Sequence, residues 1–303
     1  MKKIMFAFSL LQLTALMAET VTVNYCVVNE RQEPVCGAQV KTTTERDALN
    51  LSWTAKIKRT SITEVSDTNG MAIARFDCHS GDFNVYVSAD GYYPEKLLSQ
   101  SFSPDYDIRQ RKYHFPTKEK TIKVTLMEVR APIEMRKSDT ADFWKIPNKT
   151  GRYEFDLEEC DWVVPLGKGK IPDIAICCNI LTNEPNYYLS GTLEFVNGGA
   201  YLLAKRKSSS MLSDYSASTN EVYVKCFPFK YWSKSDGDYS YSPPLGEKDY
   251  LVFRVREKRD AQGRLISANY GKIYGPIRAS GVFQVGQSFF NPTPNDTNLE
   301  ARR

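Results

Sequence analysis

The chain has 303 residues, with 40 Lys and Arg against 36 Asp and Glu and a formal charge of +4. The basic residues are scattered among acids, which excludes the concentrated basic patch that nucleic-acid binders use to neutralise phosphate. A length of this order suggests two domains rather than one.

Met1-Lys2-Lys3 is followed by an apolar stretch from Ile4 to Met17, then by the small Ala18 and the polar pair Glu19-Thr20. A cationic head, an apolar middle and a small residue at the boundary predict a secretory signal peptide over residues 1–18. The stretch is shorter than the ~20 residues a membrane span needs. The other reading is a buried N-terminal helix. No Cys stands at the boundary, so no lipid anchor is expected, and no later apolar run reaches ~18 residues, so no transmembrane segment is expected. Removal of residues 1–18 leaves 285, and loss of Lys2 and Lys3 lowers the charge from +4 to +2. The expected location is periplasmic or extracellular. Seven cysteines, Cys26, Cys36, Cys78, Cys160, Cys177, Cys178 and Cys226, would meet an oxidising compartment there. The number is odd and the spacing is not that of a zinc site, so buried thiols and some pairing both stay open.

From 19 to 130 the side chains alternate. Val21, Val23, Tyr25 and Val27 interleave with polar residues, and Val35–Val40 resumes after a polar turn. Ser66-Asp67-Thr68-Asn69-Gly70 is a tight-turn signal, followed by Ala72, Ala74 and Phe76. Phe83, Val85, Val87 and Ala89 lead to Asp90-Gly91-Tyr92, and Ile122, Val124 and Leu126 close the set. About seven short strands separated by turns predict a β-sandwich. Three motifs stand in order over this stretch: Asn29…Pro34-Val35-x-Gly37-Ala38-x-Val40, Ser66-Asp67-x-x-Gly70, and Phe83-x-Val85-x-Val87-x-Ala89-x-Gly91-Tyr92. Together they resemble the carboxypeptidase regulatory-like domain family. The resemblance implies a transthyretin-like, Ig-like sandwich of seven strands and a non-catalytic accessory role. Gln32 stands where that family usually has Gly, so a different first turn is expected, and Lys41–Glu64 is a longer insertion.

From 131 to 303 the texture changes at Pro132, with Lys145–Arg152 reading as a linker or irregular crossover. Strand-like stretches recur at Ile174–Leu181, Tyr188–Phe195, Ala200–Ala204, Glu221–Phe229 and Tyr250–Arg256. Asp260–Arg264 predicts a hairpin joining the last of these to Leu265–Tyr274. No stretch has a sustained helical period. A second β-sandwich, jelly-roll-like, is expected. Its last hairpin and tail resemble those of uncharacterised exported bacterial proteins, which implies no activity.

The chain offers little catalytic machinery. His79 and His114 are its two histidines, neither at metal-ligand spacing from a partner, and no Gly-x-Ser-x-Gly elbow occurs. No catalytic residue, metal site or cofactor is therefore expected, and the protein reads as a non-enzyme. Glu154, Asp156, Glu158, Glu159 and Asp161 form an acidic run in which strand alternation would align Glu154, Asp156 and Glu158, the pairing a carboxylate-based hydrolase needs. A solvated strand edge or a Ca²⁺ loop would read the same way. Gly167-Lys-Gly169-Lys170 lacks the phosphate-loop pattern and reads as a turn. Lys205-Arg206-Lys207 reads as a solvated loop. Tyr231, Trp232, Tyr239 and Tyr241 flank Ser-Lys-Ser-Asp-Gly-Asp, a loop composition, and are the candidate ligand-binding residues. If they form a platform for a glycan, their rings should be exposed and roughly coplanar. The alternative is that they cover the sandwich edge. The leading expectation is an exported protein with a structural or interaction role, whose partner is a glycan or another extracytoplasmic protein.

Overall fold

The computed structural model describes residues 19–46, 58–78, 81–103, 105–107, 112–138, 144–146, 150–183, 186–203, 214–234, 237–246, 249–279 and 282–302. The leader at 1–18, His79 and the Lys205-Arg206-Lys207 cluster lie outside them. Among the described residues every regular element is a strand. No helix there is long and apolar enough to cross a membrane. The protein is all-β, and the chain divides into two compact units, one ending at Val129 and one beginning at Arg130.

Unit 1 contains β1 (Glu19–Asn29), β2 (Gln39–Arg46), β3 (Lys58–Val65), β4 (Met71–Cys78), β5 (Asp82–Ser88), β6 (Tyr92–Tyr93), β7 (Glu95–Ser101), β8 (Asp105–Asp107), β9 (Lys112–His114) and β10 (Glu119–Glu128). Two four-stranded sheets form, in the orders β4-β1-β10-β6 and β3-β2-β5-β7. β1 and β10 run parallel, from Thr22 opposite Glu119 to Asn29 opposite Leu126. Alternation sends Val21, Val23, Tyr25 and Val27 inward with Ala74, Phe83, Val85, Val87, Val124 and Leu126. The Lys41–Glu64 insertion contains most of a β2–β3 ladder running from Gln39 opposite Val65 to Arg46 opposite Lys58. Its sequence signal is weak because, after Val40, the next inward residues of β2 are hydroxylic. Thr42 and Thr44 are buried, and the Thr42 hydroxyl lies 2.7 Å from that of Tyr25. Gly70 closes the Asp67 turn at φ 73°, where an added Cβ would lie 2.3 Å from the Val27 carbonyl oxygen. Gln32 takes a left-handed φ of 66° and donates its backbone N–H to the Asn29 carbonyl. A side chain therefore sits in a conformation that ordinarily favours glycine.

Unit 2 contains β11 (Arg136–Lys137), β12 (Trp144–Lys145), β13 (Thr150–Asp156), β14 (Asp161–Trp162), β15 (Ile174–Asn183), β16 (Asn186–Phe195), β17 (Gly199–Leu203), β18 (Cys226–Ser233), β19 (Tyr239–Ser242), β20 (Tyr250–Arg259), β21 (Leu265–Tyr274), β22 (Arg278–Ala279), β23 (Val282–Gln284) and β24 (Gln287–Phe290). A six-stranded sheet runs β14-β13-β15-β16-β18-β19, a five-stranded sheet runs β11-β24-β21-β20-β17, and β12-β23-β22 make a small third sheet. Phe155, Ile176, Leu189, Phe195, Phe229, Phe253, Ile273 and Phe290 belong to one continuous core. The expected Glu221–Phe229 strand starts later, at Cys226, because only from there does the chain pair with β16, Cys226 opposite Glu194. The β20–β21 hairpin forms around Asp260, whose carbonyl accepts the Gly263 N–H at 2.9 Å.

Candidate functional site

Pairing across the six-stranded sheet decides which side chains reach solvent. Leu181 of β15 stands opposite Tyr188 of β16, Tyr188 opposite Trp232 of β18, and Trp232 opposite Ser240 of β19. These four form one row on the outer face, because their strand neighbours Leu189, Tyr231 and Tyr241 turn inward. Leu181 is 54% exposed and Tyr188 37%, while Trp232 is partly exposed. The next outward row runs Asn179, Ser190, Lys230 and Ser242. It places an amide, two hydroxyls and an ammonium beside the aromatic row. Lys234 sets its ammonium 5.3 Å from the centroid of the Trp232 ring.

The four aromatic residues singled out in the sequence therefore do not share one face. Tyr231 and Tyr241 are directly opposed, with rings 5.7 Å apart at 72°, and Tyr187 meets Tyr231 edge-on at 5.7 Å. That is an edge-to-face stack against the core rather than a coplanar platform. The Tyr241 hydroxyl accepts the Ala279 N–H at 3.1 Å, and burial pushes its pKa up to about 12. Tyr239 shares the alternation of Tyr241 but lies at the hairpin end, 73% exposed. Trp232 alone of the four is on the outer face. The residues are strand residues of a β18–β19 hairpin, closed by the Lys234 N–H to the Asp238 carbonyl at 2.8 Å. Tyr188 and Leu181 were not among the sequence candidates, since they join Trp232 only through strand pairing.

The acidic run is bound up internally. Asp156 Oδ1 accepts the N–H groups of Glu158 and Glu159, and its Oδ2 accepts those of Lys170 and Ile171. Arg256 reaches in from β20. Its Nε and Nη2 donate to the two oxygens of Asp173, each at 2.9 Å, its Nη2 also to Asp156 at 3.0 Å, and its Nη1 to Glu158 at 2.5 Å. The Arg256 backbone is left-handed, φ 57°, at the bulge that follows Val255. The bulge thus aims the guanidinium across the unit. Burial opposes ionisation of Asp156, but four backbone N–H groups outweigh it and hold the carboxyl below its ordinary range. Burial pushes Asp173 up to about 6, against the pull of Arg256, so it stays ionised at neutral pH.

The remaining acids are engaged as well. Glu154 pairs with Arg152 at 3.3 Å, Glu159 with Lys170 at 2.7 Å, and Asp161 accepts the N–H groups of Trp162 and Lys168. The expected alignment of Glu154, Asp156 and Glu158 fails because β13 ends at Asp156 and the chain turns. In the Gly167–Lys170 turn the Lys168 and Lys170 N–H groups go to Asp161 and Asp156, and the Gly169 N–H goes to the Trp162 carbonyl. His114 Nδ1 lies 3.2 Å from Glu19, in unit 1. All seven cysteines are thiols, with Cys177 and Cys178 on opposite sheet faces. Among the described residues, no group of three or more His, Cys, Asp or Glu is arranged to hold a metal.

One buried titratable group carried no sequence signal. Lys272 of β21 is 3% exposed, with its ammonium 5.2 Å from the Phe289 ring centroid and 5.5 Å from that of Tyr274. Burial lowers its pKa to about 7, with Glu300 opposing.

No protein-family model matches the chain, and no curated protein matches it. Solved structures match weakly. 3-Chlorocatechol 1,2-dioxygenase from Rhodococcus opacus is 14% identical, the match covering 37% of this chain and 61% of that one at a TM-score of 0.26. The A72G variant of catechol 1,2-dioxygenase from Acinetobacter radioresistens is 17% identical over 38% of this chain and 54% of that one, TM-score 0.26. The full-length major pilin SpaD from Corynebacterium diphtheriae is 9% identical over 93% of this chain and 84% of that one, TM-score 0.26. The chain thus spans 61% and 54% of the two dioxygenases. Superpositions at this level leave function to be argued from the chain's own residues.

Proposed function

We propose that this is an exported, non-enzymatic interaction protein, built of an accessory sandwich over 19–130 and a second sandwich over 131–303 that presents the outer face of its six-stranded sheet to a partner. The observation that carries the reading is the division of labour in unit 2. The carboxylates that resemble catalytic pairs are held by Arg256 and by backbone N–H groups. The outer row, in contrast, leaves Leu181 and Tyr188 exposed to solvent beside Trp232. Aromatic side chains held on a rigid sheet present contact area at low entropic cost. The leader over residues 1–18 supports export, and the carboxypeptidase regulatory-like resemblance supports an accessory role for the first sandwich.

Hydroxyl-radical footprinting, on producing cells and on the purified protein, tests this reading. Protection of Tyr188 and Trp232 on cells, relative to the purified chain, is the expected result. Equal labelling in both would sink the reading. The N-terminus recovered from the extracytoplasmic fraction should be Glu19 or a residue close to it, and an intact Met1 there would count against the leader.

A further inference from the structure

We infer that the occupant of the outer face is a linear glycan, lying across the strands on Tyr188 and Trp232; this rests on the interaction reading above. Two adjacent rows make the site. One is Leu181, Tyr188, Trp232 and Ser240; the other is Asn179, Ser190, Lys230 and Ser242. Within a row, neighbours are one strand spacing apart, about 4.8 Å. A pyranose unit in an extended chain advances by a comparable length. Successive sugars can therefore stack on Tyr188 and then Trp232, each pressing its C–H face on a ring. Their hydroxyls fall over the second row, where Asn179 and the serines donate and accept and Lys230 donates.

Size selects this class of occupant. Leu181, Tyr188 and Trp232 together expose on the order of 200 Å² of apolar surface, since a whole aromatic side chain offers ~150–250 Å². A stable protein partner needs ~800 Å² from each side, with an apolar centre. Two or three sugar rings need far less. The surrounding chemistry agrees. Short hydroxyl and amide side chains border the rings, and apart from Leu181 in the row itself, aliphatic side chains of this sheet such as Ile176, Leu189 and Leu193 are packed in the core. Charge adds a preference. Lys230 is exposed in the polar row, and Lys234 stands over Trp232. The outward acids Glu154 and Glu194 lie further along the sheet, Glu154 paired with Arg152 and Glu194 with Arg152 and Lys225. Uronate-bearing glycans should accordingly bind more tightly than neutral ones of the same length.

The experiment uses the full mature chain on an array of linear neutral and acidic oligosaccharides, followed by calorimetry with cellohexaose, chitohexaose and hexagalacturonate. Binding of at least one array class is expected, with hexagalacturonate the tightest of the three calorimetric probes. Trp232→Ala should weaken it at least tenfold and Tyr188→Ala at least threefold, both with unchanged melting temperature. Lys230→Ala should weaken hexagalacturonate selectively, and Tyr239→Ala should change nothing. A blank array, or binding indifferent to Trp232→Ala, overturns the proposal. If the array is blank while footprinting still shows Tyr188 and Trp232 protected on cells, the glycan is wrong and the interaction face stands. If both fail, the interaction reading falls too.

Discussion

Two regions of unit 2 concentrate chemistry-bearing side chains, and they use them in opposite ways. At the corner where β13 and β14 meet β20, three carboxylates and a guanidinium satisfy one another, with backbone N–H groups completing the set. On the outer face of the neighbouring strands, aromatic and hydroxylic side chains stand in rows with solvent as their neighbour. Both regions look equally suggestive in the sequence, as an acidic run and an aromatic run. What separates them is whether each group's partners come from the chain itself. A buried carboxylate left alone would cost several kcal/mol, so the fold supplies Arg256. An exposed ring costs little and is free to contact something else.

The contrast is most open to attack at the acid corner. Arg256→Met should destabilise the protein by about 3–5 kcal/mol, because Asp156 and Asp173 would remain buried without their cation; urea unfolding measures this. A loss below about 1 kcal/mol would mean that the corner tolerates free carboxylates, and its assignment as structure would fail. Next in size is the inward side of the aromatic hairpin. Tyr231→Ala should cost roughly 3 kcal/mol, from lost burial and two lost edge-to-face contacts.

A smaller effect, of opposite sign, concerns Lys272. Its folded pKa of about 7 lies below the ordinary value of 10.5. Below pH 7 both folded and unfolded states hold the proton, and burial of the charge costs its full amount. Between pH 7 and about 10 the unfolded chain binds more protons, so stability rises with pH until neither state is charged. Lys272→Met should therefore stabilise by about 2 kcal/mol or more at pH 6–7, with the gain gone by pH 10, as read from melting at several pH values. A pH-independent gain would show that folding leaves the Lys272 pKa at its ordinary value.

Smallest is the effect at the outer face. Trp232→Ala should change stability by less than about 1 kcal/mol, as surface substitutions do. That figure sets Trp232 against its immediate neighbour Tyr231. If the two alanine variants melt alike, the two-faced reading of the hairpin is wrong.

Much of this architecture was legible in the residue order, because strand alternation is a local property. Val21 to Val27, Ile122 to Leu126 and the Asp260–Arg264 turn announce their strands directly, and the all-β class follows from them. The Thr42–Thr44 strand hid because hydroxylic side chains do not stand out as apolar, although both are buried here and Thr42 meets the Tyr25 hydroxyl. The sequence also determined that Tyr231 and Trp232 oppose each other across a strand. Only tertiary structure decided which of the two faces the core, since a shift of one residue in register would exchange them. The same holds for the rest of the outer row. Leu181, Tyr188, Trp232 and Ser240 span 60 positions of the sequence and meet only through hydrogen-bonded pairing of four strands. Arg256 lies 100 positions from Asp156, and no local pattern links them. Local periodicity fixes what each strand offers, and long-range pairing fixes what is hidden and what is shown.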